Sequence, residues 1–147
     1  MKMTSKNYEL ANYTVEQEIP KSPDDVFNHV VDLSKWWPED FEGDDLKLDT
    51  EFVLKTGDSH YSKNKVVEFV PSKKLVWLTT ESIRSTNNFD WTGTKMIFEL
   101  TPKGSASLLK FTYDGVVLEN EVERLALICD MTIKELFYNF IVNGKTK

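Results

Sequence analysis

Residues 120–142, N-E-V-E-R-L-A-L-I-C-D-M-T-I-K-E-L-F-Y-N-F-I-V, decide how the rest of the chain is read. Val122, Leu125, Ala126, Cys129, Ile133, Leu136, Phe137 and Phe140 recur at steps of three and four, the spacing that keeps one helical face apolar. At about 1.5 Å per residue such a helix runs roughly 35 Å, enough to cross a small domain. Asn120 with Glu123 forms a capping-box pattern at its start, and Asn143-Gly144 supplies a stop. Residues 50–114 read instead as short alternating strands. One antiparallel sheet followed by one long helix predicts an α+β domain whose sheet wraps the helix. The space between them is the expected functional site.

Working outward from the helix, Ser107–Asp114 and Trp91–Thr101 form the last strand pair, joined at Pro102-Lys103-Gly104-Ser105. Leu109, Phe111 and Tyr113 oppose Lys110 and Thr112, while Met96, Phe98 and Leu100 oppose Lys95 and Glu99. One wet and one apolar face indicate a sheet covered on one side. Gly115 is expected to break the last strand. Leu75–Ser82 and Tyr61–Val70 meet at a turn, Pro71-Ser72-Lys73-Lys74, and Glu51–Lys55 precedes them. Residues 83–90 read as a polar loop. The acidic run 38–49, with Phe41 as an anchor, reads as a solvated loop without the spacing of a calcium site.

Near the front, Tyr13–Ile19 alternates as a first strand, and residues 1–12 read as a loose arm before a single domain over 13–147. Ser22 caps a helix with Pro23 at its first position and Asp24 and Asp25 in its first turn. Ser34 opens a further turn through Trp36-Trp37, which Pro38 stops. Adjacent tryptophans cannot share a helical face, so one is expected in the core and the other at an entrance or partner surface.

Chain-wide properties narrow the function. A chain of 147 residues can bury a core without disulfides or metals. Its net charge of −6 and scattered lysines argue against nucleic acid, which needs clustered Lys and Arg. The lone Cys129 excludes an internal disulfide, and no apolar run is long enough to cross a bilayer. A cytoplasmic protein with no membrane partner is expected.

Four stretches carry a resemblance. They are I-P-K-S-P-D-D-V-F (19–27) with Trp36-Trp37-Pro38 after it; V-V-E-F-V-P-S-K-K-L-V-W (66–77); G-T-K-M-I-F-E-L-T-P-K-G (93–104); and the helix 120–142. In this order they resemble the helix-grip fold of the START and pollen-allergen-like (SRPBCC) superfamily. Among its members they are most similar to stand-alone bacterial domains named after the activator of the heat-shock chaperone ATPase. The resemblance covers about residues 13–143. It implies a curved antiparallel sheet of about six strands around the C-terminal helix, with two short helices after the first strand. It also implies a cavity used for lipids or small hydrophobic molecules, and no particular chemistry.

The expected function is binding of a small hydrophobic, aromatic or lipid-like ligand, with no cofactor and no metal. Strand alternation and the helical stripe place Trp37, Phe52, His60, Phe69, Trp77, Trp91, Met96, Phe98, Phe111, Tyr113, Leu125, Cys129 and Ile133 around the ligand. The many large rings either fill the core or line a pocket. No catalytic residue is assigned. A cyclase- or hydrolase-like alternative would use His60, Tyr61 or Glu81 as acid or base. His29 reads as a surface or rim residue, Cys129 as a buried hydrophobe, and Asp130 with Lys134 as a surface helix pair. A protein-interaction module, such as a chaperone or stress-response regulator, is the third alternative. Leu127, Ile128 and Met131 extend apolar character onto the helix's back, where they suit a homodimer.

Overall fold

Alternation along the chain does produce one sheet, and the computed structural model describes residues 8–57, 60–84, 92–118 and 122–146. Among the described residues seven strands pair antiparallel throughout: β1 Tyr8–Ile19, β2 Asp40–Glu42, β3 Glu51–Thr56, β4 His60–Val70, β5 Lys74–Arg84, β6 Lys95–Lys103 and β7 Ala106–Leu118. Their spatial order is β1-β7-β6-β5-β4-β3-β2. The strand beyond the six expected is β2, which lies in the acidic run read as a loop. Its Phe41 pairs with Leu54 of β3 and sets its ring 5.5 Å from that of Phe52.

Two strand limits also differ from expectation. β1 starts at Tyr8, inside the expected arm, because it stays in register with β7 from Tyr8↔Leu118 to Ile19↔Ser107. Gly115 sits inside β7 rather than ending it. A Cβ built there would lie 2.3 Å from Thr94 Cγ2, so the missing side chain lets the neighbouring chain approach.

Between β1 and β2 lie α1 (Pro23–Val30) and α2 (Leu33–Trp36). The Ser22 hydroxyl accepts the Asp25 N–H at 3.2 Å, the cap expected from Ser-Pro-Asp-Asp. Both tryptophans after it are buried, Trp36 1% and Trp37 6% exposed, against the expected split. The chain leaves the helix between them: Trp37 is extended at φ −67°, ψ 138°, so its side chain no longer follows helical periodicity.

The C-terminal helix is three consecutive segments: α3 Val122–Asp130, a π-helical stretch Met131–Phe137, and α4 Tyr138–Asn143. A continuous α-helix was expected. Buried apolar positions fall at Leu125, Cys129, Ile133, Phe137 and Ile141, a strict four-residue step, with Thr132 buried beside Ile133. In an α-helix each such step drifts about 40° around the axis. Wider π turns in the middle keep the stripe aligned. The Thr132 hydroxyl donates to the Ile128 carbonyl at 2.7 Å, the acceptor an α-helix gives to the Thr132 N–H. The helix stops as expected, with Gly144 left-handed at φ 69° and its N–H on the Phe140 carbonyl at 3.1 Å. Asn120 lies outside the described residues. Among the described residues no helix is long and apolar enough to cross a membrane.

Candidate functional site

Strand alternation aims one face of the sheet at the helices, and this inner face divides into two chemically different parts. The first is aromatic. Trp77 of β5 meets Trp37 edge-on at 5.2 Å, Phe52 of β3 at 5.3 Å and Phe98 of β6 at 5.3 Å. Phe98 continues to Phe111 of β7 at 4.9 Å, and Trp36 closes onto Phe137 of the helix at 4.8 Å. These rings are buried and touch one another in edge-to-face and tilted arrangements, which add about 0.5–1.5 kcal/mol per pair beyond burial. In this part the rings fill the core.

The second part is polar. On β4 the buried positions are His60, Ser62, Asn64 and Val66, so three polar side chains share the face of a core valine. The Thr79 hydroxyl of β5 donates to Asn64 Oδ1 at 2.8 Å, and Asn64 Nδ2 donates to Ser62 Oγ at 3.2 Å. Ser82 lies opposite Ser62 across the β4–β5 ladder, after a bulge near Lys63 and Asn64 that puts it on this face. Thr79 and Thr94 are joined through the Thr79 N–H and Thr94 carbonyl at 2.9 Å, and Thr94, next to β6, shares the buried face of Met96, which pairs with Tyr113. A buried polar band therefore crosses β4, β5, β6 and β7, ending at Tyr113 beside Cys129 of α3. Burial first, then Cys129, drives the Tyr113 phenol far above its usual range. Burial and Asp130 push the Cys129 thiol up to about 12.

At the other end of the band stands a charged group. Glu39, in the turn between α2 and β2, places Oε2 2.8 Å from His60 Nδ1. The same oxygen accepts the Thr56 hydroxyl at 2.9 Å, and Oε1 accepts the Trp37 indole N–H at 3.4 Å. Burial raises the affinity of Glu39 for a proton, but the hydrogen bond and charge of His60, with Thr56 and Trp37, outweigh it. The carboxyl is held below its ordinary value. An ionised carboxylate only accepts, so His60 Nδ1 carries the hydrogen. In the neutral ring Nε2 is then an acceptor, and it faces Ser82 Oγ at 3.3 Å. Glu39, His60 and Ser82 form a directed chain.

Solved structures share the fold of this chain. A solution structure of the Aha1 dimer from Colwellia psychrerythraea superposes with a TM-score of 0.72 at 17% identity, covering 90% of this chain and 98% of that one. An uncharacterized protein from Rhizobium leguminosarum gives 0.75 at 12% identity, covering 92% and 97%. CalU16 from Micromonospora echinospora gives 0.69 at 15%, covering 92% and 76%. The fold is the helix-grip fold. No family model matches the sequence, and no curated protein does.

Within the helix-grip architecture, the expected site residues divide between the two parts. Trp37, Phe52, Trp77, Met96, Phe98, Phe111, Leu125 and Ile133 belong to the packed core. His60, Tyr113 and Cys129 adjoin the polar band. Phe69 is only half-buried and stacks edge-on against Phe27 of α1 at 5.3 Å, away from the band. Trp91 lies outside the described residues, as does most of the loop 83–90. Of the acid–base alternatives, His60 faces inward, Tyr61 is half-buried on the opposite face and Glu81 is exposed. Asp130, expected to pair with Lys134, accepts the Tyr13 hydroxyl of β1 at 3.2 Å. His29, half-buried, bonds the Asp25 carbonyl and packs against Phe140.

Glu39, Ser62, Asn64, Thr79, Ser82 and Thr94 were not singled out by the sequence reading. The signal for β4 was present: His60, Ser62 and Asn64 stand at the same parity as Val66, so a core face of polar residues was legible. Glu39 gave no signal, because it sits in a run of acids whose other members, Asp40, Glu42, Asp44 and Asp45, are exposed. Among the described residues no cluster of His, Cys, Asp and Glu could hold a metal.

Proposed function

We propose that the domain binds a small, largely apolar molecule with one polar end, and does so without a cofactor. The polar end lies along Asn64, Thr79 and Ser82, and the apolar body lies towards Tyr113 and Cys129 at the far end of the band. The observation that carries this reading is the polar band itself. Hydrogen bonds among Ser62, Asn64 and Thr79 offset the cost of burying them. A connected polar group of this kind stands apart from the apolar residues that fill the rest of the inner face. Small-molecule sites combine apolar walls with a few converging polar groups, and the inner face has that composition. The helix-grip fold is consistent with it and does not specify the ligand.

Native mass spectrometry of protein purified gently from its own host tests the reading. A reproducible bound mass, lost in Asn64→Leu, is the expected result. Protein that stays empty after soaking with lipids and aromatic compounds would remove the reading.

A second reading concerns assembly. Leu127 is 71% and Met131 40% exposed on the helix's back, and the similar Colwellia protein was solved as a dimer. We infer a two-fold dimer through this strip. Sedimentation should give a dimer mass that Leu127→Glu halves; a monomer at high micromolar concentration would exclude it.

A further inference from the structure

The chain Glu39–His60–Ser82 has the direction of an acyl-transfer triad: an ionised carboxylate on Nδ1, and a hydroxyl facing Nε2. We propose that Ser82 is a nucleophile that cleaves carboxylic esters held along the polar band, with His60 as general base and Glu39 as its orienting carboxylate. The placement of the substrate rests on the binding reading above; the triad geometry does not.

Each member is fixed by a different part of the fold. His60 is the first residue of β4 and only 9% exposed, and its ring is held between Glu39 Oε2 and Ser82 Oγ. Thr56 and Trp37 tie both carboxylate oxygens of Glu39, which leaves Oε2 aimed at Nδ1. Ser82 is half-buried on β5, facing the band because of the β4–β5 bulge. The 3.3 Å separation of Oγ and Nε2 is at the long end of a hydrogen bond, as catalytic contacts often are before substrate binds.

Ser82 Oγ attacks the carbonyl carbon, and its proton passes to His60 Nε2. The ester C–O bond breaks, and the departing alcohol takes that proton. Water then attacks the acyl-serine, gives a proton to Nε2, and the acid leaves as Ser82 regains its proton. Ester and water become acid and alcohol, with no oxidant or further reactant. Glu39 stays ionised and stabilises the imidazolium formed on the way.

The test uses the full chain with p-nitrophenyl butyrate and a fluorophosphonate probe, read by phenolate release and by peptide mass mapping. The expected result is a single probe adduct on Ser82, absent in Ser82→Ala. His60→Gln should lower phenolate release on the order of 10²–10⁴-fold. Glu39→Gln should act through His60, and is separated from a merely structural role by a lost labelling rate at Ser82 with an unchanged circular dichroism spectrum. If His60→Gln does not fold, the wild-type labelling site still decides. Wild-type protein that is folded but never labelled at Ser82 overturns the triad. So does labelling that His60→Gln leaves unchanged. Ligand retained in native mass spectra with an unlabelled Ser82 ends this inference and leaves the binding reading standing. Labelling of Ser82 without any retained ligand does the reverse.

Discussion

Glu39 Oε2 stands 2.8 Å from His60 Nδ1, joining the turn after α2 to the first residue of β4 across 21 positions of sequence. Because this contact holds the Glu39 carboxyl below its ordinary value of 4.5, it makes stability depend on pH in one direction. The contribution is fully present above that ordinary value. It is lost as pH falls through the lower folded value. Glu39→Gln should cost about 1–3 kcal/mol at neutral pH. In urea titrations the gap between the two proteins should narrow below pH 4.5 and stay constant above it. A gap independent of pH down to acid unfolding would mean that the carboxylate is not held by His60.

Gly115 is predicted to be intolerant for a local reason. A Cβ there would meet Thr94 Cγ2 at 2.3 Å and Thr94 Cβ at 2.9 Å. Gly115→Ala should lower stability by about 1–3 kcal/mol, the usual range for forced overpacking. Adding Thr94→Ser removes Cγ2 and should recover part of the loss, which a double-mutant cycle by thermal unfolding would read as coupling.

Cys129 should be chemically silent. With its thiol pushed up to about 12 and its side chain buried, it carries almost no thiolate near pH 8. Iodoacetamide should leave the native chain unmodified and alkylate it fully in denaturant. Rapid native alkylation would show that α3 opens away from β7.

The aromatic part of the inner face should dominate stability. Trp77→Ala removes a ring in contact with Trp37, Phe52 and Phe98, and should cost about 3–5 kcal/mol. Ile83→Ala, at a position 56% exposed on the same strand, should stay within about 0.5 kcal/mol. Chemical denaturation of both variants checks the contrast.

How much of this was legible follows from the kind of interaction involved. The parity of Met96, Phe98 and Leu100 against Lys95 and Glu99 placed the inner face correctly, since side chains alternate along any strand. Tyr113 and Cys129 were expected at the ligand, and both adjoin the polar band. Glu39 and Ser82 were not seen as partners of His60. Nothing periodic marks an isolated carboxylate in a turn, and the facing of Ser82 depends on a bulge that shifts the register of its strand.

The sequence by itself determined the order of every element but β2, the Ser22 cap, the Gly144 stop and the apolar stripe of the C-terminal helix. These rest on interactions within a few residues, where spacing and backbone preference are sufficient. The tertiary structure alone decided four other features. Both Trp36 and Trp37 enter the core, the helix widens between Met131 and Phe137, Gly115 continues a strand, and Glu39 reaches His60. Each depends on what a residue meets from a distant part of the chain, and such contacts leave no regular mark on the residues that make them.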